Sequence, residues 1–395
     1  MSYFKQIEMS RYLADLSKQF GSELPLPLVA NDDGYDQQNL AYWMIKDGEL
    51  TIGEDKIKSR AKRGRQASAL DMGASGLFSS EGVDYTVSES LDYEDTRSDE
   101  YPKTILNRIL VHAGLNSIGL SDATPVAVVT GLPLKEYAPR MGEINTSLID
   151  DKAKNMMQPV TVGSARQPSA RVCFHGTYPE AIAGIADYLI DNKGQLREGL
   201  DPAAVRMALD IGGKTTDMAV IINGRDGMQI AAMQTIDMGV SNIRDILSGL
   251  VEDRVGFRLD QILRDQALNE RIVEAFDESH DVADLWEQAV TEVFSQIFAE
   301  ADKMRRKHPS IKELVCFGGG AALGEEVIRA KFPSVKMVEN PDGANARGFL
   351  KFATTTELEQ ILAKVLAYFE EHNLAAPKAV EVSGTEDAPA QEAEA

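Results

Sequence analysis

Residues 207–222 read MALDIGGKTTDMAVII: an apolar run, a turn built on two glycines, and a second apolar run. Asp210 stands where the first run ends and Gly212-Gly213 follow, so backbone N–H groups can approach an anion with no Cβ in the way. That is the geometry of a phosphate-holding β-hairpin. Thr215 and Thr216 offer hydroxyls to phosphate oxygens, Lys214 a charge, and Asp217 a carboxylate able to stiffen the turn. Taken alone, the stretch is equally an ordinary hairpin closed by Gly-Gly. Upstream, residues 26–30 are apolar and run into Asn31-Asp32-Asp33-Gly34, after which residues 38–44 (QNLAYWM) resume a strand pattern. An acid at this second turn would hold Mg²⁺ through its waters or position a nucleophilic water. Its plain reading is an Asp-Asp-Gly turn with no ligand.

Between and after the hairpins the pattern alternates strand and helix. Residues 45–98, rich in Gly, Ser and Asp, read as a small inserted subdomain, and 101–115 as a helix. Residues 125–134 (PVAVVTGLPL) are a buried strand that leaves through a Gly-Leu-Pro loop, a wall for a cleft. A strand over 169–176 precedes a helix over 179–189, with Pro179 at its first position and Glu180 in its first turn. An acid there serves the helix dipole; in a nucleotide cleft the same Glu180 would orient an attacking water. Residues 283–307 form a long helix with Leu285, Ala289, Val293, Ile297 and Ala301 on one stripe. Residues 311–317 are a strand ending in Gly318-Gly319-Gly320, with a helix from Ala321, so a flat base or ribose could rest on bare backbone. After a last strand over 335–338, residues 341–348 (PDGANARG) open a closing helix that runs to about 373.

The totals set bounds. With 395 residues the chain has room for two domains, and 43% hydrophobic with 26% charged residues is a globular composition. No apolar run approaches the ~20 residues of a membrane span, and the N-terminus has no signal-like apolar region; the expected location is the cytoplasm. A net charge of −21 argues against direct contact with nucleic acid. The basic run at 56–65 (KIKSRAKRGR) is the exception, either a solvated segment or an electrostatic contact. Cys173 and Cys316 sit in apolar runs and read as buried thiols. Residues 1–20 form an amphipathic helix whose cover is its own domain, then a neighbouring subunit, then a membrane surface, in that order of expectation. Residues 376–395 read as a disordered acidic tail.

Two acid-glycine hairpins a domain's length apart, then a strand, a glycine loop and a helix, resemble the superfamily of actin, sugar kinases and heat-shock chaperone ATPases. Within it the chain is most similar to the plasmid-segregating bacterial actins of the ParM/StbA type. The residues that carry the resemblance are 31–34, 130–137 (TGLPLKEY), Pro179-Glu180, 209–217 and 318–321. It implies an α/β, actin-like (ribonuclease H-like) fold, with two α/β domains around a nucleotide cleft and a smaller subdomain on each. The boundaries expected are 1–25 for the N-terminal extension, 26–190 for domain I with its insertion at about 45–104, 191–340 for domain II, and 341–375 for a helix returning to domain I.

The resemblance further implies a filament-forming ATPase that segregates plasmid DNA by nucleotide-dependent polymerisation. Its partners would be other copies of the chain and a DNA-bound adaptor, with no direct nucleic acid and no membrane. ATP or GTP with Mg²⁺ is the implied ligand. Asp32, Asp210 and Glu180 would be catalytic, Asp32 and Asp210 also holding Mg²⁺ through water. Asp33, Gly34, Gly212, Gly213, Lys214, Thr215, Thr216, Gly318, Gly319, Gly320 and Ala321 would contact the nucleotide. Conventional actins carry a lysine where this chain has Asn39, which leaves a basic phosphate contact missing or moved to Lys214. A membrane-associated scaffold for shape, division or pilus assembly, and a small-molecule kinase, are the alternatives on the same fold.

Overall fold

The computed structural model describes residues 28–372 except 47–48, 67–75, 90–92, 193 and 225–226. The N-terminal extension and the acidic tail expected from the sequence lie outside the described residues. Two five-stranded sheets organise the rest. The first holds β1 (Leu28–Asp33), β2 (Gln37–Lys46), β3 (Glu49–Lys58), β4 (Pro125–Leu132) and β5 (Arg171–Pro179), in the order β5-β4-β1-β2-β3. The second holds β6 (Val205–Ile211), β7 (Thr216–Gly224), β8 (Gly227–Ile236), β9 (Ile311–Phe317) and β10 (Lys336–Met337), in the order β10-β9-β6-β7-β8. The two orders are one pattern used twice: three antiparallel strands on one side, and two strands running parallel to the first on the other.

Parallel pairing demands long crossovers, and helices supply them. The helices used below are α1 (Ile105–Ser117), α2 (Thr146–Met156), α3 (Ile182–Leu189), α4 (Val240–Val255), α5 (Gln261–Asn269), α6 (Ala283–Lys307), α7 (Gly319–Leu323), α8 (Ala344–Thr356) and α9 (Leu358–Glu371). Every residue of β4 is buried, as expected of a central strand covered on both faces. Val126 and Val128 pack with Val29, Val111 and Leu115 on one side, while Ala127 and Val129 pack with Leu28, Ala30 and Phe349 on the other. The stripe expected on α6 is buried at all its positions against the second sheet.

The chain crosses between the lobes at two helices. Helix α3 follows β5 yet packs on the second sheet, Ile182, Ile185 and Leu189 meeting Ala208, Ala219 and Phe317. Helix α8 follows β10 yet packs on the first through Phe349, Leu350 and Ala353. The two crossing helices touch so closely that a Cβ on Gly348 would lie 1.9 Å from the Ala183 carbonyl oxygen. Asp187 of α3 is buried there between Arg347 and Lys351 of α8, at 2.8 and 2.7 Å.

Several expected boundaries are corrected. Strand β3 belongs to the first main sheet. The separate small sheet starts at Ala61 rather than near 45 and draws its last strands, Thr161–Val162 and Gln167–Pro168, from well beyond 104. The closing helix is two helices, α8 and α9, with Glu357 between them. The strand expected to end at Gly176 continues through Pro179, and the edge position of β5 explains why a proline is tolerated in it.

Candidate functional site

The cleft between the sheets is lined by the carboxyl ends of strands from both lobes, the place where open α/β sheets gather ligands. At the end of β1, strand alternation divides the acids. Asn31 and Asp33 turn to one face, where the Asn31 amide donates to Gln38 Oε1 at 3.0 Å. There Asp33 accepts from Lys152 Nζ at 2.9 Å and from Asn107 Nδ2 at 2.8 Å. Asp33 was expected to contact nucleotide; its carboxylate is instead taken up inside the first lobe, although its edge still lines the cleft. Asp32 turns to the other face, toward the Asn345 amide.

Lys152 comes from α2 and is nearly inaccessible, at 1% exposure, with its ammonium also donating to the Gly131 carbonyl at 2.6 Å. Across the cleft, Asp210 stands next to last in β6 and accepts from Asn345 Nδ2 at 2.7 Å. Asp217, its partner in the β6–β7 register, accepts the Thr235 hydroxyl. Glu180 lies beyond the end of β5 in a turn, with its N–H donating to Leu132 O at 2.9 Å. This corrects the sequence expectation: α3 begins at Ile182, so Glu180 is not a first-turn helix acid, and its side chain rests over Gly131, where a Cβ would meet it at 2.9 Å.

These acids crowd one another. Burial, reinforced by Asp33, pushes Asp32 up to about 7 against the opposing pull of Lys152 and the Asn345 amide. Burial likewise pushes Asp210 to about 7, with Asp32 adding to it, and Asp217 to about 7, with Asp210 adding to it. Glu180 is raised well above the usual carboxylate range by burial and then by Asp32, Asp217 and Asp210. Such a cluster favours a cation or a proton, and it lies beside backbone stripped of side chains: Gly34, Gly212, Gly213, Gly318 and Gly319 all line the cleft, with Thr215.

Other expected contacts are displaced. Thr216 is fully buried and its hydroxyl donates to Met238 O at 2.7 Å, so it does not face the cleft. Gly320 and Ala321 also turn away: a Cβ on Gly320 would strike Ile211 at 2.3 Å, and Ala321 is part of the second lobe's core. Helix α7 starts at Gly319, not Ala321, with Gly318 as its cap at φ +93. Lys214 does line the cleft, at its mouth, 2.7 Å from Asp99 and 4.9 Å from the Tyr35 ring centre.

Further ion pairs join the lobes around that mouth: Arg60–Asp265 at 2.7 Å, Arg244–Asp36 at 2.7 Å and Arg97–Asp245 at 2.8 Å. Arg60 and Lys58 belong to the basic run read from the sequence. Four of its charges go to acids of this same chain: besides Arg60, Lys58 pairs with Asp36 at 3.9 Å, Lys56 with Asp342 at 3.3 Å and Arg65 with Asp84 at 3.0 Å.

Lys152, Asn107 and Asn345 were not singled out by the sequence. Lys152 stands in TSLIDDKAKNM, a stretch that carries no motif of its own; the signal for Asn345 was a helix opening alone.

Residues 29–186 match the family profile for the N-terminal part of the plasmid segregation protein ParM, and residues 208–329 match that for the C-terminal part of the archaeal MreB-like actin homologue. The chain belongs to the actin-like ATPase superfamily. Among solved structures, this actin-like chain is similar to an archaeal actin homologue in complex with ADP, at 17% identity and TM-score 0.63, covering 84% of this chain and 99% of that one. It is similar to ParM of a 15-stranded filament from Clostridium botulinum, at 20% identity and TM-score 0.64, covering 82% and 98%. It is also similar to a non-polymerisable quadruple mutant of pCBH ParM, at 19% identity and TM-score 0.65, covering 82% and 98%. No curated protein sequence matches significantly. Among the described residues no helix is long and apolar enough to cross a membrane.

Proposed function

We propose that the cleft binds and hydrolyses ATP, and that nucleotide state governs assembly of this chain into filaments that move plasmid DNA through a DNA-bound adaptor protein. The observation that carries the reading is the convergence of Asp32, Asp210 and Glu180 from three strand ends on one glycine-lined cleft. A cluster of raised carboxylates with Lys152 as its buried cation is short of positive charge, which fits a divalent ion. Among the described residues no three ligating side chains form a direct metal cage, so the fit is to hydrated Mg²⁺ held through its waters by Asp32 and Asp210. When bound, that ion supplies charge neutralisation for the triphosphate.

The chain's own residues do the rest. The turns at Gly34 and at Gly212-Gly213 offer backbone N–H groups to phosphate oxygens, with the Thr215 hydroxyl beside them. Gly318 and Gly319 leave room for ribose and base. Glu180 holds the attacking water in line and takes its proton as the bond between the γ-phosphorus and the β-bridging oxygen breaks. Filament formation draws support from the botulinum ParM neighbour, whose filament is itself a solved structure. The adaptor is proposed because a net charge of −21 disfavours direct DNA contact. The test is Glu180→Ala: phosphate release should slow by ~10²-fold or more, the range for losing a general base, while ATP still binds. Unchanged turnover would remove Glu180 from the chemistry.

A further inference from the structure

Ala181 follows Glu180 directly, is fully buried, and has φ +61. A residue with a Cβ reaches that left-handed region at a cost of roughly 1–2 kcal/mol, so neighbouring structure must hold it there. The elbow is closed by the Ile182 N–H donating to Glu180 O at 2.6 Å and tied down by Asn345, whose side-chain oxygen accepts the Ala181 N–H at 3.2 Å. The same amide donates to Asp210 Oδ2 at 2.7 Å, and its nearness to Asp32 holds that carboxyl down against the effect of burial. An amide offers both donors and acceptor sites, and here one of each joins the tip of β6 to the elbow that carries Glu180.

Asn345 belongs to α8, which packs on the first sheet, and Asp210 belongs to the second, so this donor contact forms at one lobe separation alone. Asn345 itself opens α8, the helix that crosses between lobes and packs on α3 just after the elbow. Asn345 is 5% exposed, and its reach to both partners depends on the crossing helices staying in register.

We propose that Asn345 is a positioning residue: it sets Glu180 against Asp210, and so makes water attack conditional on lobe closure. This rests on the reading of the cleft as an ATPase site. Asn345 touches no reacting atom; it acts through Glu180.

The test is a double-mutant cycle read by single-turnover ATP hydrolysis with Mg²⁺, alongside binding of a fluorescent ATP analogue and thermal melting. Asn345→Ala should lower kcat roughly 10- to 100-fold, the range for hydrogen bonds to charged groups, with nucleotide affinity changed by less than about threefold. Asn345→Asp, nearly isosteric, loses the donors and should show the same split if the alanine variant folds poorly. In a Glu180→Ala background, Asn345→Ala should cost little more, because the group it positions is gone. Full kcat in both Asn345 variants overturns the proposal. A fall in affinity matching the fall in kcat, or a loss that multiplies with that of Glu180→Ala, also overturns it, since either marks general structural support. Absence of turnover in the wild-type protein overturns the ATPase reading, and this proposal with it.

Discussion

Replacing Lys152 by Met tests how the acid cluster is held. The ammonium and the Asp33 carboxylate are 2.9 Å apart with side chains 1% and 4% exposed. The pair is therefore shielded from water, and surface-pair values do not apply. Removing one member of a buried pair costs about 3–5 kcal/mol, because the other charge stays buried without its partner. Here Asp33 keeps the Asn107 amide at 2.8 Å, which puts the cost at the lower end. Loss of the bond to the Gly131 carbonyl adds about 1 kcal/mol. The sum, about 4 kcal/mol, is a large part of the ~5–15 kcal/mol that holds a domain folded. Asp33→Asn should cost a similar amount by stranding the ammonium. The double variant should cost much less than the two single costs added, a coupling of about 2 kcal/mol or more. Urea denaturation of the four proteins measures it. Additive costs, or a Lys152→Met cost below about 1 kcal/mol, would refute the buried-pair argument.

Further outcomes follow from the same geometry. A Cβ on Gly319 meets nothing within 4 Å, whereas one on Gly320 meets Ile211 at 2.3 Å. Gly319→Val should therefore leave the melting temperature unchanged and weaken ATP binding, and Gly320→Val should lower the melting temperature first. Asp210, raised from 3.8 to about 7 by burial, binds its proton more tightly folded than unfolded; its contribution is full below about pH 4 and is lost as pH rises through 7. Asp210→Asn, neutral throughout, should accordingly gain more in apo melting temperature over wild type at pH 8 than at pH 5. Arg244→Ala, which breaks the inter-lobe contact to Asp36 at 2.7 Å, should speed nucleotide dissociation several-fold in a stopped-flow chase, while Arg97→Ala should do less, its pair being exposed on both sides.

What the sequence disclosed was local. Each hairpin is an apolar run, an acid-glycine turn and another apolar run, all contiguous, so Asp32, Asp210 and the cleft glycines could be read without tertiary information. The α6 stripe was legible for the same reason: its period is set by the helix. Lys152 and Asn345 were not legible, because nothing in TSLIDDKAKNM or ANARG distinguishes a side chain aimed at Asp33 or Asp210 from one aimed at solvent. Thr216 was misjudged because adjacent threonines look alike, yet Thr215 ends the turn and lines the cleft while Thr216 begins β7 and turns to Met238. Low helix propensity hid the start of α7 at Gly319, where the β9–α7 junction overrides it.

In the proposed cycle nucleotide occupancy of this cleft drives self-assembly and Glu180 ends it. Time-resolved pelleting of wild-type protein and Glu180→Ala with Mg²⁺ and ATP, with phosphate release followed in the same samples, tests both halves. Wild-type protein should pellet on ATP addition and return to the supernatant as phosphate appears, and the variant should pellet and stay pelleted with little phosphate released. Pelleting that ignores nucleotide, or none at all in wild-type protein that binds ATP, would contradict the account.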